Sequence, residues 1–355
     1  NKFFLRLISR NNLPILEEQK NFARSRAPVR ISFGGGGSDL THFFSKSNGA
    51  VINATISIYS HACLKKRNDE RVIIKSRDLN ESIDEENLEL ALRKESKLDL
   101  IQSVIKLISP KYGFELEIYS DFPSNSGLGG SSAISAAVLG CFNEFRQDPW
   151  DTYELSELAF QAERLNLNIA GGWQDQYAAV FGGFNFIEFN NKKNIVHPLK
   201  INKETIFELE ESLVLVNTNL SHKSGDIHKD QKKELSKSKI KDFMKENVML
   251  SYQIRDCLLK NKLVDFGQLL NKGWLLKKNF SEKISNETLN NYYEIAIKNG
   301  AIGGKILGAG SGGHFLFYSN HRNKFSLINA LQNEGLTPSN FSFEPEGLTT
   351  CQQNY

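Results

Sequence analysis

The feature that most constrains this chain is a run of glycines and serines placed between an apolar strand and an apolar helix. Residues 123–133 read Pro-Ser-Asn-Ser-Gly-Leu-Gly-Gly-Ser-Ser-Ala. The residues before them, Phe114–Tyr119, favour a strand, and the residues after them, Ala133–Phe145, favour a helix. Glycines allow a tight turn with exposed N–H groups, and a helix N-terminus adds unpaired donors and partial positive charge. The segment is therefore predicted to bind phosphate.

The phosphate-binding prediction extends to single residues of this loop. They are Pro123, Ser126, Gly127, Leu128, Gly129, Gly130, Ser131 and Ser132. The hydroxyls of Ser131 and Ser132 stand where the helix begins and are suited to a phosphate oxygen or to Mg²⁺. The loop differs from the Walker sequence because it contains no lysine and no Gly-Lys-Ser/Thr triplet occurs. A simple turn with a serine helix cap remains the alternative that composition allows.

A second glycine-rich segment precedes this loop in the chain. Residues 26–39 read Arg-Ala-Pro-Val-Arg-Ile-Ser-Phe-Gly-Gly-Gly-Gly-Ser-Asp. Four successive glycines cost conformational entropy on folding, so they favour a backbone held close to another group. Asp39 is suited to accept hydrogen bonds from sugar hydroxyls, and its alternative role is to cap a helix predicted at Leu40–Ser45. A dinucleotide-binding loop is disfavoured because the Gly-x-Gly-x-x-Gly spacing is incomplete.

A third glycine-rich segment lies near the end of the chain. Residues 305–313 read Lys-Ile-Leu-Gly-Ala-Gly-Ser-Gly-Gly and lead into a predicted strand at Phe315–Tyr318. Taken alone, this pattern is equally typical of a tight hairpin. Further strands are predicted at Ala50–Ile58 and Ser212–Asn217, and further helices at Leu98–Ile108 and Leu155–Asn166. This mixture favours an α+β or an α/β protein.

Length and composition exclude several classes of protein. The 355 residues suffice for two domains, with a boundary expected near residues 190–210. A formal net charge of +3 is too small to indicate a nucleic-acid-binding protein, and no apolar stretch approaches the roughly 20 residues of a membrane span. The four cysteines lack metal-ligand spacing and the chain start lacks a signal-peptide pattern, so free thiols and a cytoplasmic location are expected. The lysine-rich stretch His228–Lys245 is predicted to be a solvated helical face.

In order and spacing, the three segments resemble the signature motifs of the GHMP kinases, the family of galactokinase, homoserine kinase, mevalonate kinase and phosphomevalonate kinase. The motifs are Arg-Ala-Pro-x-Arg, Pro-x-x-x-Gly-Leu-Gly-x-Ser-Ser-Ala and Lys-x-x-Gly-Ala-Gly-x-Gly-Gly, and the resemblance covers roughly residues 23–320. It implies a two-domain α+β fold with the active site between the domains and the middle loop around the phosphates of ATP. It also implies an N-terminal ATP-binding domain over residues 23–200, a C-terminal domain over residues 201–355 and an N-terminal extension over residues 1–22.

The resemblance further implies the catalytic residues. Similar family members carry a Mg²⁺-binding glutamate at the position of Glu163 and a catalytic aspartate at the position of Asp175. Ser132 is expected to join Glu163 at the metal, and Arg30 is expected near the nucleophile and the transferred phosphate. From the residues alone, Asp175 would be expected to cap a helix at Gln176–Phe181, and Glu163 would be an ordinary exposed carboxylate.

The substrate is suggested by finer details of the motifs. Gly-Gly-Gly-Ser-Asp at residues 35–39 and Gly-Gly-x-Gln-Asp-Gln-Tyr at residues 171–177 are most similar to the bacterial heptose kinases of that family. This resemblance implies phosphorylation of D-glycero-D-manno-heptose 7-phosphate at its C1 hydroxyl, with ATP and Mg²⁺ as cofactors. Substrate contacts are expected at Gly36, Asp39 and Gly310. Lys223 or His222 is expected to contribute to a site for the phosphate of the sugar, and Lys223 would bind it as a point charge. A kinase of a free sugar such as L-fucose and a non-catalytic sugar and ATP sensor remain alternatives, and a homodimer stays open.

Overall fold

The structure is a computed structural model, which describes residues 20–220 and 238–353. The strands are β1 (Phe22–Gly34), β2 (Gly49–Lys66), β3 (Val72–Ser76), β4 (Glu81–Glu85), β5 (Phe114–Ser120), β6 (Phe184–Phe189), β7 (Asn194–Pro198), β8 (Leu213–Asn217), β9 (Ala301–Ile306), β10 (His314–Ser319), β11 (Thr337–Ser339) and β12 (Thr349–Gln353). The α-helices are α1 (Thr41–Phe44), α2 (Leu88–Arg93), α3 (Asp99–Ile108), α4 (Gly130–Asn143), α5 (Thr152–Phe160), α6 (Gln174–Phe181), α7 (Lys203–Ser212), α8 (Ser238–Leu259), α9 (Leu263–Lys278), α10 (Glu287–Lys298) and α11 (Lys324–Asn333). A π-helix spans Gln161–Asn166, and 3₁₀ turns lie at Glu282–Ile284 and His321–Asn323. The predicted α+β fold class is confirmed.

The first sheet is built around one long strand. Strand β2 has 18 residues, so its second half pairs with β5 while its first half pairs with β6. The strand order is β12-β1-β2-β5-β3-β4, and β7 extends the sheet from β6. Helices α4 and α8 both pack against β1 and β2. This cover explains the burial of every residue in the second half of β1, whereas its first half alternates between buried and exposed residues.

The second sheet forms one wall of a cleft between the two sheets. Its strands run antiparallel in the order β11-β8-β10-β9. Helix α9 lies very close to β9, since a Cβ atom on Gly303 would lie 2.0 Å from the carbonyl oxygen of Gly267. Only a residue without a side chain fits at that contact. The close approach brings Lys277, near the end of α9, and Lys305, near the end of β9, to the same cavity.

An aromatic cluster joins the two halves of the molecule. Phe33 of β1 is fully buried and contacts Phe266 of α9, with ring centroids 5.3 Å apart and ring planes at 76°. This edge-to-face arrangement is the favoured geometry for aromatic pairs. Phe184 and Phe343 pack around the same ring. Because the cluster holds α9 against β1, the cleft beside it has walls from both sheets.

Two predicted elements differ from the structure. Strand β2 continues beyond the predicted end at Ile58, because its second half alternates apolar and polar residues instead of being apolar throughout. The predicted helix Leu155–Asn166 is observed as α5 followed by the π-helix. The other predicted strands and helices are found with small shifts at their ends.

Several other predictions concern the ends and the surface of the chain. The predicted helical face His228–Lys245 lies partly outside the described residues, and its described part is not simply solvated, since Met244 is fully buried and Ile240 nearly so. Strand β12 pairs with β1 although the predicted division places it in the C-terminal domain, and the domain bounds stay a prediction. The four cysteines are free, as predicted. Among the described residues, no helix is both long enough and apolar enough to cross a bilayer.

Candidate active site

A cavity of about 1180 Å³ lies between the two sheets. Small-molecule pockets usually enclose about 300–1,000 Å³, so this cavity has room for two substrates. Its lining includes a set of apolar side chains, here called the recess, and a set of polar and charged side chains, here called the polar end. The recess consists of Leu79, Leu98, Ile101, Ile118, Phe122 and Ile134. The polar end consists of Arg30, Asp39, Ser131, Glu163, Asp175, Lys277 and Lys305.

The predicted phosphate loop joins β5 to α4 and lines this cavity. Gly127 and Gly129 have φ angles of 75° and 81°, a conformation that side-chain-bearing residues rarely adopt. Gly129 caps α4 without any side-chain hydrogen bond, so no cap side chain occupies the N–H groups of the first turn. The carbonyl oxygen of Ser126 lies 2.7 Å from Nδ1 of His314, which ties the loop to β10. The loop is thus held from both sheets in a shape suited to anions.

Arg30 and Asp175 form an ion pair beside the loop. Nε and Nη2 of Arg30 each lie 2.8 Å from Oδ1 of Asp175, and Nη1 donates to the carbonyl oxygen of Gly127 at 2.8 Å. Asp175 lies in the first turn of α6, whose N-cap is Trp173, so the alternative that Asp175 caps this helix is wrong. The side chain of Arg30 is 4% exposed and that of Asp175 is 17% exposed. The aspartate therefore reaches the cavity while the arginine supports it from behind.

Glu163 is surrounded by hydrogen-bond donors at the start of α4. Its carboxylate accepts from Ser132 Oγ at 3.1 Å and from Gln176 Nε2 at 2.9 Å, and it also contacts the hydroxyl of Ser131. Nη1 of Arg164 lies 3.1 Å from its other oxygen. With 2% exposure, Glu163 is not the ordinary exposed carboxylate that the residues alone suggested. It sits in the π-helix, an irregularity that is frequent at functional sites.

Asp39 is buried at the polar end of the cavity. It accepts hydrogen bonds from the backbone N–H groups of Gly37 at 2.9 Å and Gln174 at 3.1 Å. The predicted capping of α1 is wrong, because that helix begins after Leu40 without a side-chain cap. Burial and, next, the negative charge of Asp175 raise the pKa of Asp39. The structure thus brings Asp39 to the same cavity as the Arg30–Asp175 pair.

Of the remaining predicted site residues, some line the cavity and others do not. Gly36 lines it. Leu128 is buried behind the loop, where its carbonyl oxygen accepts from the N–H of Arg30 at 3.0 Å. Gly310 is not among the residues that line the cavity, and a Cβ atom there would lie 2.9 Å from the carbonyl oxygen of Ile284. Its role toward a substrate stays a prediction. Lys223 and His222 lie outside the described residues.

The cavity residues that the sequence analysis missed include Asn247, Lys277 and Lys305. Asn247 of α8 donates to the carbonyl oxygen of Gly36 at 3.0 Å and thereby supports the opening glycine segment. Lys277 of α9 donates to the carbonyl oxygen of Ile306 at 3.3 Å and also to that of Gly308. Lys305 begins the third motif, so a sequence signal existed for it but not for the other two. Desolvation and the neighbouring charge of Arg30 lower the pKa of Lys305 to about 7, and desolvation followed by the charge of Lys305 lowers that of Lys277.

The contact between Gly172 and Asp39 provides a test of the acceptor end of the site. A Cβ atom on Gly172 would lie 1.9 Å from Oδ2 of Asp39, so Gly172→Ala must displace this buried carboxylate. If Asp39 binds the sugar that the family resemblance implies, the KM for that sugar should rise by roughly 10-fold, the loss of about one hydrogen bond to a charged group, with the KM for ATP nearly unchanged. Steady-state kinetics with each substrate varied in turn will measure both. In the double variant with Asp39→Ala, a total loss of binding free energy for the sugar equal to the sum of the two single losses would contradict an effect of Gly172→Ala through Asp39.

Two family models and a relative matched along nearly its whole length point to the same family. The model described as the GHMP kinases N terminal domain matches residues 99–183, and the GHMP kinases C terminal model matches residues 254–336. A D-glycero-alpha-D-manno-heptose 7-phosphate kinase of Campylobacter jejuni is 40% identical over 92% of this chain and 97% of its own length. The chain belongs to the GHMP kinase family. The resemblance seen in the three glycine-rich motifs is therefore confirmed.

Solved structures support the same assignment of this GHMP kinase. A D-glycero-D-manno-heptose 1-phosphate kinase from Bacteroides thetaiotaomicron superposes with a TM-score of 0.78 at 29% identity, covering 94% of this chain and 100% of that one. A putative sugar kinase from Campylobacter jejuni superposes with a TM-score of 0.77 at 36% identity, covering 95% of this chain and 100% of that one. Both similarities extend over nearly the whole molecule, so they include both walls of the cleft.

Proposed function

We propose that this GHMP kinase transfers the γ-phosphate of ATP to the C1 hydroxyl of D-glycero-D-manno-heptose 7-phosphate. The observation that carries the chemistry is the Arg30–Asp175 pair, which shares one cavity with the phosphate loop and with Asp39. The choice of sugar is supported by the relative from Campylobacter jejuni, whose name gives this heptose phosphate and which is 40% identical. Phosphoryl transfer requires mainly positioning and charge stabilisation, and the cavity offers both.

The nucleotide is assigned to the apolar side of the cavity. Its base would lie in the recess beside Ile101 and Ile118, where burial of an aromatic ring is favourable. Its phosphates would then reach the loop at Gly127–Gly130 and the N-terminus of α4. This orientation points the terminal phosphate toward Asp175, which packs against Gly129: a Cβ atom on that glycine would lie 3.3 Å from Cγ of Asp175.

Mg²⁺ fits the oxygen atoms at the start of α4. Glu163 supplies a carboxylate, and Ser131 and Ser132 supply hydroxyl oxygens beside it. Mg²⁺ prefers one or two carboxylates together with water and substrate phosphates, so few protein ligands are needed. This agrees with the described residues, which contain no group of three or more His, Cys, Asp or Glu side chains that could hold a metal. When bound, the ion supplies neutralisation of the charge on the nucleotide phosphates.

The residues of this chain account for the transfer step. The carboxylate of Asp175 accepts the hydrogen bond of the C1 hydroxyl and takes its proton as the new oxygen–phosphorus bond forms. The bond between the γ-phosphorus and its bridging oxygen breaks, and ADP leaves. Arg30 keeps Asp175 oriented through two short contacts and stays charged throughout. Asp39 binds hydroxyls of the sugar and fixes the direction of C1.

A coupled assay of ADP release tests the proposed function. We expect Mg·ATP to support strong turnover with D-glycero-D-manno-heptose 7-phosphate, and at least about 100-fold lower kcat/KM with free heptose, L-fucose, galactose and mevalonate, because unpaired groups in a polar site discriminate strongly. Turnover with a free sugar alone would retain the kinase and reject the sugar phosphate as its substrate. No turnover with any of these sugars, together with binding of ATP and sugar measured by calorimetry, would favour a non-catalytic sensor.

A further inference from the structure

We propose that Lys277 of α9 and Lys305 of β9 form a phosphate-binding site in the cavity. This inference rests on the proposed function, because it assigns a phosphate that the kinase would handle to two lysines that the sequence analysis gave no role. Both lysines line the same cavity as Arg30 and Asp39. The ligand is a phosphate group carried either by the acceptor sugar or by the nucleotide as its terminal phosphate.

Lys305 is the more unusual of the two lysines. The residue is 6% exposed, and its ammonium group has no hydrogen-bond or ion-pair partner within residues 20–220 and 238–353. A buried ammonium normally requires a partner, because removal from water penalises the charged form. The charge that acts on it most strongly within the described structure is Arg30, which has the same sign. Lys305 therefore lacks an anion at the place where it reaches the cavity.

Lys277 is partly satisfied and still has capacity for a ligand. Its ammonium donates to two backbone carbonyls at the end of β9 and in the third motif. An ammonium group has three donors, so one remains for the cavity. The charges of Lys305 and Arg30 both oppose its protonation, and only Asp39 favours it. A phosphate dianion beside the two lysines would favour the charged form of each of them.

The described part of the cavity gives neither lysine an acidic side chain as a partner. Arg30, Lys277 and Lys305 all line the cavity, and the charge of Arg30 opposes protonation of both lysines. Asp175 is already paired with Arg30, and Asp39 is held by two backbone N–H groups instead of by a lysine. A phosphate group would supply the missing negative charge and accept hydrogen bonds from both ammonium groups. Lys277 donates to the carbonyl oxygen of Gly308, and a Cβ atom on Gly308 would lie 2.9 Å from Cα of Gly127 in the phosphate loop. A phosphate bound by Lys277 would therefore lie close to that loop.

A structural role for Lys305 predicts a different result from a ligand role. If the lysine supported the fold, its removal would lower stability. If Lys305 instead binds a phosphate ligand, Lys305→Met removes a buried charge that is uncompensated in the free protein. Because Met is apolar and of similar length, the variant should be as stable as the wild type or more stable. Affinity for the phosphate group should fall in the same variant. Unchanged or raised Tm together with reduced phosphate affinity is therefore the signature of the proposed site.

The experiment compares Lys305→Met and Lys277→Met with Lys272→Met as the matched control. Lys272 lies on the same helix as Lys277, but its ammonium pairs with Glu246 at 2.8 Å near the surface. Calorimetry measures the affinity of each protein for heptose 7-phosphate and free heptose, and for Mg·AMP-PNP and Mg·ADP. Within each pair the two ligands differ by one phosphate group. The ratio of their dissociation constants therefore isolates the contribution of that phosphate to binding. We expect the wild-type ratio for at least one pair to shrink by about 10- to 100-fold in the variants, the effect of losing a hydrogen bond between charged groups, with Lys272→Met unchanged.

The two pairs of ligands separate the two sources of phosphate. A loss confined to heptose 7-phosphate assigns the lysines to the acceptor, and a loss confined to Mg·AMP-PNP assigns them to the transferred phosphate; either result supports the site. Wild-type ratios in both lysine variants, or a Tm of Lys305→Met well below that of the control, would overturn it. If the wild-type protein itself fails to bind heptose 7-phosphate, the proposed substrate is wrong, while the nucleotide pair still tests the lysines.

Discussion

Asp175→Asn is expected to lower kcat by at least about 100-fold, the smaller end of the effect of a general base, while the affinity for Mg·ATP stays within a few-fold. The amide oxygen of Asn can still accept the hydrogen bond that Arg30 Nε now donates to Oδ1 at 2.8 Å, so the local geometry is retained. The amide cannot take a proton from the sugar hydroxyl. Binding and chemistry should therefore separate in this variant.

The measurements for Asp175→Asn are single-turnover kinetics, calorimetry with Mg·ATP and thermal unfolding. Asp84→Asn is the matched control, because Asp84 pairs with Arg71 on the surface, and both side chains of that pair are about half exposed. An exposed pair of this kind contributes at most about 1 kcal/mol. Near-normal turnover in Asp175→Asn would reject the role of this carboxylate. Loss of ATP binding in a folded protein would instead indicate that the Arg30–Asp175 pair shapes the nucleotide site.

The parts of the site that are local in sequence could be predicted from it. The phosphate loop lies between a strand and a helix that each show their own periodicity, and Gly127 and Gly129 adopt the backbone angles that favour glycine. The strand was therefore predicted to within one residue, Phe114–Tyr119 against the observed Phe114–Ser120, whereas the helix predicted at Ala133–Phe145 is observed at Gly130–Asn143. Asp175 and Glu163 were placed by the resemblance to the family. Without it, their residue patterns suggested a helix cap and an exposed side chain, and both interpretations were wrong.

The parts that depend on long-range packing could not be predicted. Lys277 is one of several lysines on α9, and its position in the cavity follows from the contact of that helix with β9 at Gly267 and Gly303. The pairing of β12 with β1 also could not be predicted from local sequence patterns, because the two strands lie near opposite ends of the chain. The π-helix at Gln161–Asn166 was predicted as ordinary helix, since one additional residue in a turn leaves the apolar pattern almost unchanged.

Glu163→Gln is expected to raise the Mg²⁺ concentration needed for half-maximal turnover by at least about 10- to 100-fold. Changes at groups that only touch a metal ligand already have effects of that size, so loss of the ligand's own charge should have no less. The variant keeps the size of the side chain but removes the negative charge that faces Arg164 and the two serine hydroxyls. A neutral amide also brings donors to a place already occupied by donors, which adds unsatisfied groups.

The control for Glu163→Gln is the same substitution at an exposed glutamate nearby. Glu157→Gln changes an exposed glutamate of α5, the helix that leads directly into the π-helix, and should leave the Mg²⁺ dependence unchanged. Affinity for ATP measured with and without Mg²⁺ adds a readout that does not depend on turnover. In the wild type, Mg²⁺ should strengthen nucleotide binding, and in Glu163→Gln this gain should largely disappear. If the gain persists while Tm falls, Glu163 holds α4, α6 and the π-helix together through its hydrogen bonds and does not bind the metal.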